Sequence, residues 1–260
     1  MVFPGDEAPS EGSQWHTLYF SPGVHHIGAS FHVHANKSYY IPGEAVVYGT
    51  MNNNKNEDDG EGILIYGHGT LSGDRLPHPH YANVSETERW RYHGINIDGK
   101  YIFYWYIIHF IYSGASNVRI IGITIAHPPA QSLNLRWTHY EPETPTDAKW
   151  VKIITWRANG DGFGLKGNAY MEDCFIRAAD DSTYVGGRGM KRVVIWNDSN
   201  GSSFVFSHIG SESINSHPVI VEDCSVIYAR SHFAAGKEMI NSGLGILKIN
   251  TFLLILSCRG

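Results

Sequence analysis

The sequence predicts an all-β fold wound as a solenoid of short strands, and three observations carry that expectation. Glycine makes up 28 of 260 residues and charged residues only 17%, where a globular chain averages roughly 7% glycine and a quarter charged. Short β-prone runs alternate with Gly, Asn and Asp clusters, and no amphipathic helix interrupts them. Finally, Met171-Glu172-Asp173-Cys174-Phe175-Ile176 recurs as Val221-Glu222-Asp223-Cys224-Ser225-Val226, with Lys191 to Trp196 as a strand between them. Recurrence at about twenty to thirty residues is the mark of stacked coils. A β-sandwich would give the same strand density without the repetition.

Taken in order, residues 1–14 carry neither the basic start nor the apolar run of a signal peptide and read as a linker or remnant. The solenoid is expected over 15–235. Its first strands are Leu18 to Phe20, Tyr39 to Ile41, Ala45 to Tyr48 and Ile63 to Tyr66. Val118 to Ile125, Trp150 to Thr155, Tyr170 to Ile176, Arg192 to Trp196 and Val219 to Tyr228 follow. Turn residues punctuate them: Pro22-Gly23, Pro42-Gly43, Gly67-His68-Gly69, Asn159-Gly160-Asp161-Gly162 and Gly186-Gly187.

One segment breaks the pattern. Lys100 to Tyr112 is apolar and aromatic without a turn, yet shorter than the about 20 residues of a transmembrane helix. It reads either as a buried strand pair or as an insert over 100–113 encoded by an unspliced intron. The codons of Gly99-Lys100-Tyr101 can hold a donor splice site and those of Ser113-Gly114 an acceptor, so that in-frame excision leaves Asp98-Gly-Ala115. Residues 236–260 lose the repeat and read as a tail outside it, opened in the same way at Gly236-Lys237.

Composition narrows the function. The apolar share of 42% and a net charge of −5 exclude disorder, and no basic cluster offers a nucleic-acid backbone a partner. Cys174, Cys224 and Cys258 include no CxxC pair, so neither a disulfide scaffold nor a zinc site is expected. His32-Val33-His34 and His78-Pro79-His80 lack metal-site spacing and read as strand or loop residues. No metal and no organic cofactor are expected. Sequons at Asn36, Asn83, Asn197 and Asn200 lean towards secretion.

The chemistry-bearing group is acidic. Asp161 is followed one short coil later by Asp180-Asp181, which in a solenoid stacks three carboxylates on one face, with coils about 4.8 Å apart. Glycosidases need one protonated carboxyl at the leaving oxygen and one carboxylate on water or the sugar, and crowding raises one pKa as that division requires. An isolated acidic doublet is ordinarily a solvated turn, as expected of Asp58-Asp59.

On these residues the chain resembles the parallel β-helix glycoside hydrolases of the clan joining polygalacturonases (family 28) with dextranases and isopullulanases (family 49). Ile65-Tyr66-Gly67-His68-Gly69-Thr70-Leu71-Ser72-Gly73 is similar to the turn opening the β-helix in both families. Asp161-Gly162 with Asp180-Asp181 matches the clan's three acids at the spacing of family 49. Tyr19 to Val24 and Ile41 to Gly49 resemble family 49 segments ahead of that turn. The resemblance implies a right-handed parallel β-helix, incomplete at the C-terminus, in a shortened fungal gene product. It implies inverting hydrolysis of an α-glucan, at the α-1,6 linkages of dextran or the linkages of pullulan. Asp180 would be the general acid, and Asp161 with Asp181 would position and deprotonate water, at carboxyl separations of about 6.5–9.5 Å. Lys166, His208 and Trp156 are the candidate substrate-binding residues, and Trp137, Trp150 and Trp196 further candidates for sugar stacking. A polysaccharide substrate, an extracellular setting and a monomer are expected, with no nucleic-acid or membrane partner. Polygalacturonases also carry an Arg-x-Lys for the uronate carboxylate, and this sequence has none. Two alternatives stand beside the glucanase reading: a polygalacturonase-like pectin hydrolase, and an inactive shortened β-helix that binds carbohydrate.

Overall fold

The computed structural model describes residues 15–53, 61–78, 94–98, 100–102, 111–113, 117–136, 146–165, 169–185, 187–197, 201–205, 219–229, 240–241 and 247–254. Lys166, His208, Trp137 and the Asp58-Asp59 doublet lie outside them. All regular structure among the described residues is strand, and all but two of the strands stack in three parallel ladders.

The first ladder stacks β1 (Thr17–Tyr19), β3 (Ser38–Ile41), β5 (Leu64–Gly67), β10 (Arg119–Ile121) and β13 (Thr146–Lys149). It continues through β16 (Ala169–Glu172), β19 (Gly189–Lys191), the start of β22 (Val219–Ala229) and β24 (Leu247–Leu254). The second holds β2 (Gly23–His32), β4 (Ala45–Asn52), β6 (Thr70–Ser72) and β11 (Thr124–Ala126). β14 (Lys152–Ile154), β17 (Phe175–Ala178), β20 (Val194–Asn197) and the end of β22 extend it. The third runs from the end of β4 through β7 (Ile95–Asp98), β12 (Leu133–Arg136) and β15 (Phe163–Leu165). β18 (Thr183–Tyr184), β21 (Phe204–Val205) and β23 (Ile240–Asn241) complete it. Chain order cycles through the three ladders, which makes the fold a right-handed parallel β-helix.

The alternation of each strand makes the core. On the first ladder Tyr39, Ile65, Ile120, Ala148, Met171 and Met190 sit in register and are fully buried. Leu71, Ile125, Ile153, Ile176 and Ile195 do the same on the second. Like side chains thus stack on like along the axis, and each coil buries its apolar face only against its neighbours.

The corner between these ladders explains the sequence repeat. A single residue in the left-handed region turns the chain: Gly122, then Trp150, Asp173, Arg192 and Asp223, with φ between 50° and 81°. The next residue points inward, giving Ile123, Val151, Cys174, Val193 and Cys224, all buried. The recurring Glu-Asp-Cys is therefore a left-handed corner, which Asp tolerates better than most residues, followed by a core position. Cys174 and Cys224 stand two coils apart with Val193 between them, about 10 Å by coil spacing, and both are free thiols.

β8 (Lys100–Ile102) and β9 (Ile111–Ser113) pair antiparallel with each other, apart from the parallel ladders. The described ends of the segment set aside in the sequence thus pair with each other and not with the coils. Within the 236–260 tail, β24 lies parallel to β22 from Val219↔Leu247 to Val226↔Leu254. Asn197, one of the four sequons, is 1% exposed with its amide bonded inside the helix, so it cannot accept a glycan.

Candidate active site

The residues two positions before β12, β15, β18 and β21 form a column of their own. Backbone bonds run from Gly94 N to Gln131 O, Ser132 N to Asp161 O, Gly162 N to Asp181 O, and Ser182 N to Ser202 O. Gln131, Asp161, Asp181 and Ser202 are therefore in register on four successive coils. Asp161 is level with Asp181, and Asp180 occupies the preceding position, level with Gly160.

Asp161 is buried, at 6% exposure, and its Oδ2 lies within hydrogen-bond distance of two groups. The Tyr184 hydroxyl lies 2.7 Å away and the Gln131 amide nitrogen 2.9 Å. Gln131 is oriented in turn by Asn134, whose Nδ2 donates to its Oε1 at 2.7 Å. Burial, reinforced by the carboxylates of Asp180 and Asp181, pushes the Asp161 pKa up to about 7 against the opposing effect of the Tyr184 and Gln131 bonds. An ordinary surface carboxyl titrates near 4.

Asp181 Oδ2 lies 3.0 Å from the same Tyr184 hydroxyl, and its Oδ1 accepts from the backbone N–H of Ser202 at 2.7 Å. The Oδ2 atoms of Asp161 and Asp181 are thus at most 5.7 Å apart, the sum of the two distances to Tyr184. One phenol thus bridges the two acids expected on the water side. Burial, with the negative charge of both aspartates, pushes the Tyr184 phenol far above its ordinary value. Tyr184 is therefore a neutral donor at any physiological pH.

Asp180 is 9% exposed; its Oδ1 accepts from the Asp181 N–H at 3.0 Å, and its carbonyl accepts from Asn197 Nδ2 at 3.1 Å. Two glycines make room for the cluster. A Cβ on Gly201 would fall on the backbone of Asp180 and Asp181, and one on Gly164, level with Tyr184, would lie 2.6 Å from Asn134 Oδ1. The three predicted acids do come together. Gln131, Tyr184 and Ser202 were not singled out by sequence reasoning, although Gln131 and both acids share a visible signal, a polar residue two positions before Leu133, Phe163 and Thr183.

Trp156 is 55% exposed, and its ring has a neighbour from the coil on either side. His127, from the coil before, stacks on it at 4.5 Å between centroids, and Arg177, from the coil after, lies 4.0 Å over it. Arg177 in turn lies 5.7 Å from the Trp196 ring, which meets Tyr228 at 5.5 Å. These side chains form one aromatic–cation stack along the helix. Partial burial of His127 lowers its pKa. Among the described residues no group of three His, Cys, Asp or Glu side chains is arranged to hold a metal ion.

No family model matches the chain, and no curated protein matches it by sequence. Among solved structures it is similar to the family 28 exopolygalacturonase of Yersinia enterocolitica, with a TM-score of 0.54 at 12% identity. The match covers 82% of this chain and 48% of that one, so this chain spans about half the length of the enzyme it resembles. At this identity the likeness establishes the shared β-helix fold.

Proposed function

We propose that the chain is a glycoside hydrolase of the β-helix kind, acting on a polysaccharide by inversion. The observation that carries this reading is the column in which Asp161 and Asp181 stand level, with Asp180 beside them. The Tyr184 hydroxyl fills the gap between Asp161 and Asp181, so a scissile bond has no passage between those two. This supports a division of labour with Asp180 on one side and the bridged pair on the other. Asp180 protonates the glycosidic oxygen as the bond to the anomeric carbon breaks. Water attacks that carbon from the opposite face and gives its proton to the ionised carboxylate of the pair. Solvent then reprotonates Asp180 and takes the surplus proton from the pair.

Two substrate classes follow from different observations. The absence of an Arg-x-Lys for a uronate carboxylate favours a neutral α-glucan such as dextran or pullulan. The likeness to an exopolygalacturonase favours polygalacturonate. Either polymer is too large to enter a cell, which supports an extracellular site of action. The test is reducing-sugar release from dextran, pullulan and polygalacturonate by the purified chain and by Asp180→Asn. Release from one polymer is expected, with a fall of about 100-fold or more in Asp180→Asn. Release from none of them would refute the enzyme reading and favour a carbohydrate-binding β-helix. Undiminished release by Asp180→Asn would refute the role of Asp180.

A further inference from the structure

We infer that Tyr184 is a positioning residue that makes Asp161 and Asp181 share a single proton through its hydroxyl. The inference deepens the glycosidase reading and rests on it for its catalytic consequence, though not for its test. The geometry leads there by proton counting. A phenol carries one hydrogen, yet the Tyr184 oxygen lies within hydrogen-bond distance of both Asp161 Oδ2, at 2.7 Å, and Asp181 Oδ2, at 3.0 Å. It can donate to one carboxylate, and the other contact is a hydrogen bond only if that carboxyl is itself protonated and donates to the phenol oxygen. Two satisfied bonds therefore require one proton on the carboxyl pair in addition to the phenol's own.

The remaining contacts point the same way. Asp181 Oδ1 accepts the Ser202 N–H at 2.7 Å, a donor that favours the charged form, and Asp181 is the more exposed of the two. Asp161 is the buried partner, and the charged groups facing it among the described residues are Asp180 and Asp181, both acidic. The pair therefore rests with the proton on Asp161, passing through Tyr184 to an ionised Asp181. In the proposed reaction Asp181 is then the base, Asp161 holds the resident proton, and Tyr184 keeps the two carboxyls at fixed separation without touching the sugar.

The experiment titrates the carboxyl carbons of 13C-aspartate-labelled protein in the parent, in Tyr184→Phe and in a variant with 3,5-difluorotyrosine at position 184. Phenylalanine keeps the ring and its packing but removes both the donor facing Asp181 and the acceptor holding the Asp161 proton. The two titrations are therefore expected to draw together, Asp181 moving up and Asp161 down by about one unit or more, whereas a tyrosine that only donates would on removal raise both. Difluorotyrosine keeps ring and hydroxyl, is a stronger donor, and moves the Asp181 titration down, which preserves the test should Tyr184→Phe fail to fold. The acid limb of kcat/KM on the polymer cleaved is expected to follow the Asp181 shift. A merely structural tyrosine would instead lower activity evenly across pH. Carboxyl titrations that stay in place in the folded variants overturn the inference, whatever the activity. A parent that cleaves no polymer but whose titrations move as described refutes the glycosidase reading and leaves the shared proton standing.

Discussion

Replacing Asp161 with asparagine is expected to stabilise the protein at pH 8 and leave it little changed at pH 4. The reasoning begins with burial, which raises the folded-state pKa from the ordinary 3.8 to about 7. Between those values the folded state keeps a proton that the unfolded chain has released. For a carboxyl raised in this way, the stability is fully present below pH 3.8 and is lost as the pH rises to about 7. A rise of about three units, at about 1.4 kcal/mol per unit, corresponds to about 4 kcal/mol lost over that range. Asparagine has nearly the same shape, still offers Tyr184 and Gln131 an oxygen, and has no charge to desolvate. Urea denaturation of parent and Asp161→Asn at pH 4 and pH 8 reads the difference directly. The variant's advantage is expected to grow by about 4 kcal/mol between the two. An advantage equal at both pH values would refute the argument that Asp161 is held protonated by its surroundings. The cost retained in the natural chain is of the kind that reactive sites carry in exchange for function.

Two further predictions concern the scaffold. Gly201→Ala is expected to cost about 3 kcal/mol and to disturb both acids, because its Cβ would fall on the backbone of Asp180 and Asp181. Gly43→Ala, whose Cβ would meet only His68 Cβ at 3.7 Å, serves as the near-neutral control in the same denaturation assay. Trp156→Ala removes the ring between His127 and Arg177 and is expected to cost about 1–2 kcal/mol while leaving KM in place. A raised KM with unchanged stability would show instead that Trp156 holds sugar.

The solenoid was legible because its period is written in single residues. Glu172-Asp173-Cys174 and Glu222-Asp223-Cys224 each spell out a left-handed corner and a core position, and such local chemistry is visible in one dimension. The acids were legible for a similar reason, since Asp161 and the Asp180-Asp181 doublet lie one coil apart. Which member of the doublet stands level with Asp161 was not legible. Coils differ in length, so the register is set by which backbone groups bond across coils; the Gly162 to Asp181 bond pairs Asp161 with Asp181.

Side-chain reach was hidden in the same way. Gln131 and Tyr184 stand far along the chain from parts of the cluster they join, and neither type by itself signals a site. The neighbours of Trp156 were hidden too, since only the coils on either side bring His127 and Arg177 to its ring. Asn197 carried a sequon's letters while its amide was bonded inside the helix. The sequence alone therefore determined the all-β architecture, the period and the three acids, because these follow from alternation, turn chemistry and residue type. Only the tertiary structure decided how the acids are paired, protonated and shielded, because burial and hydrogen bonding between coils depend on register.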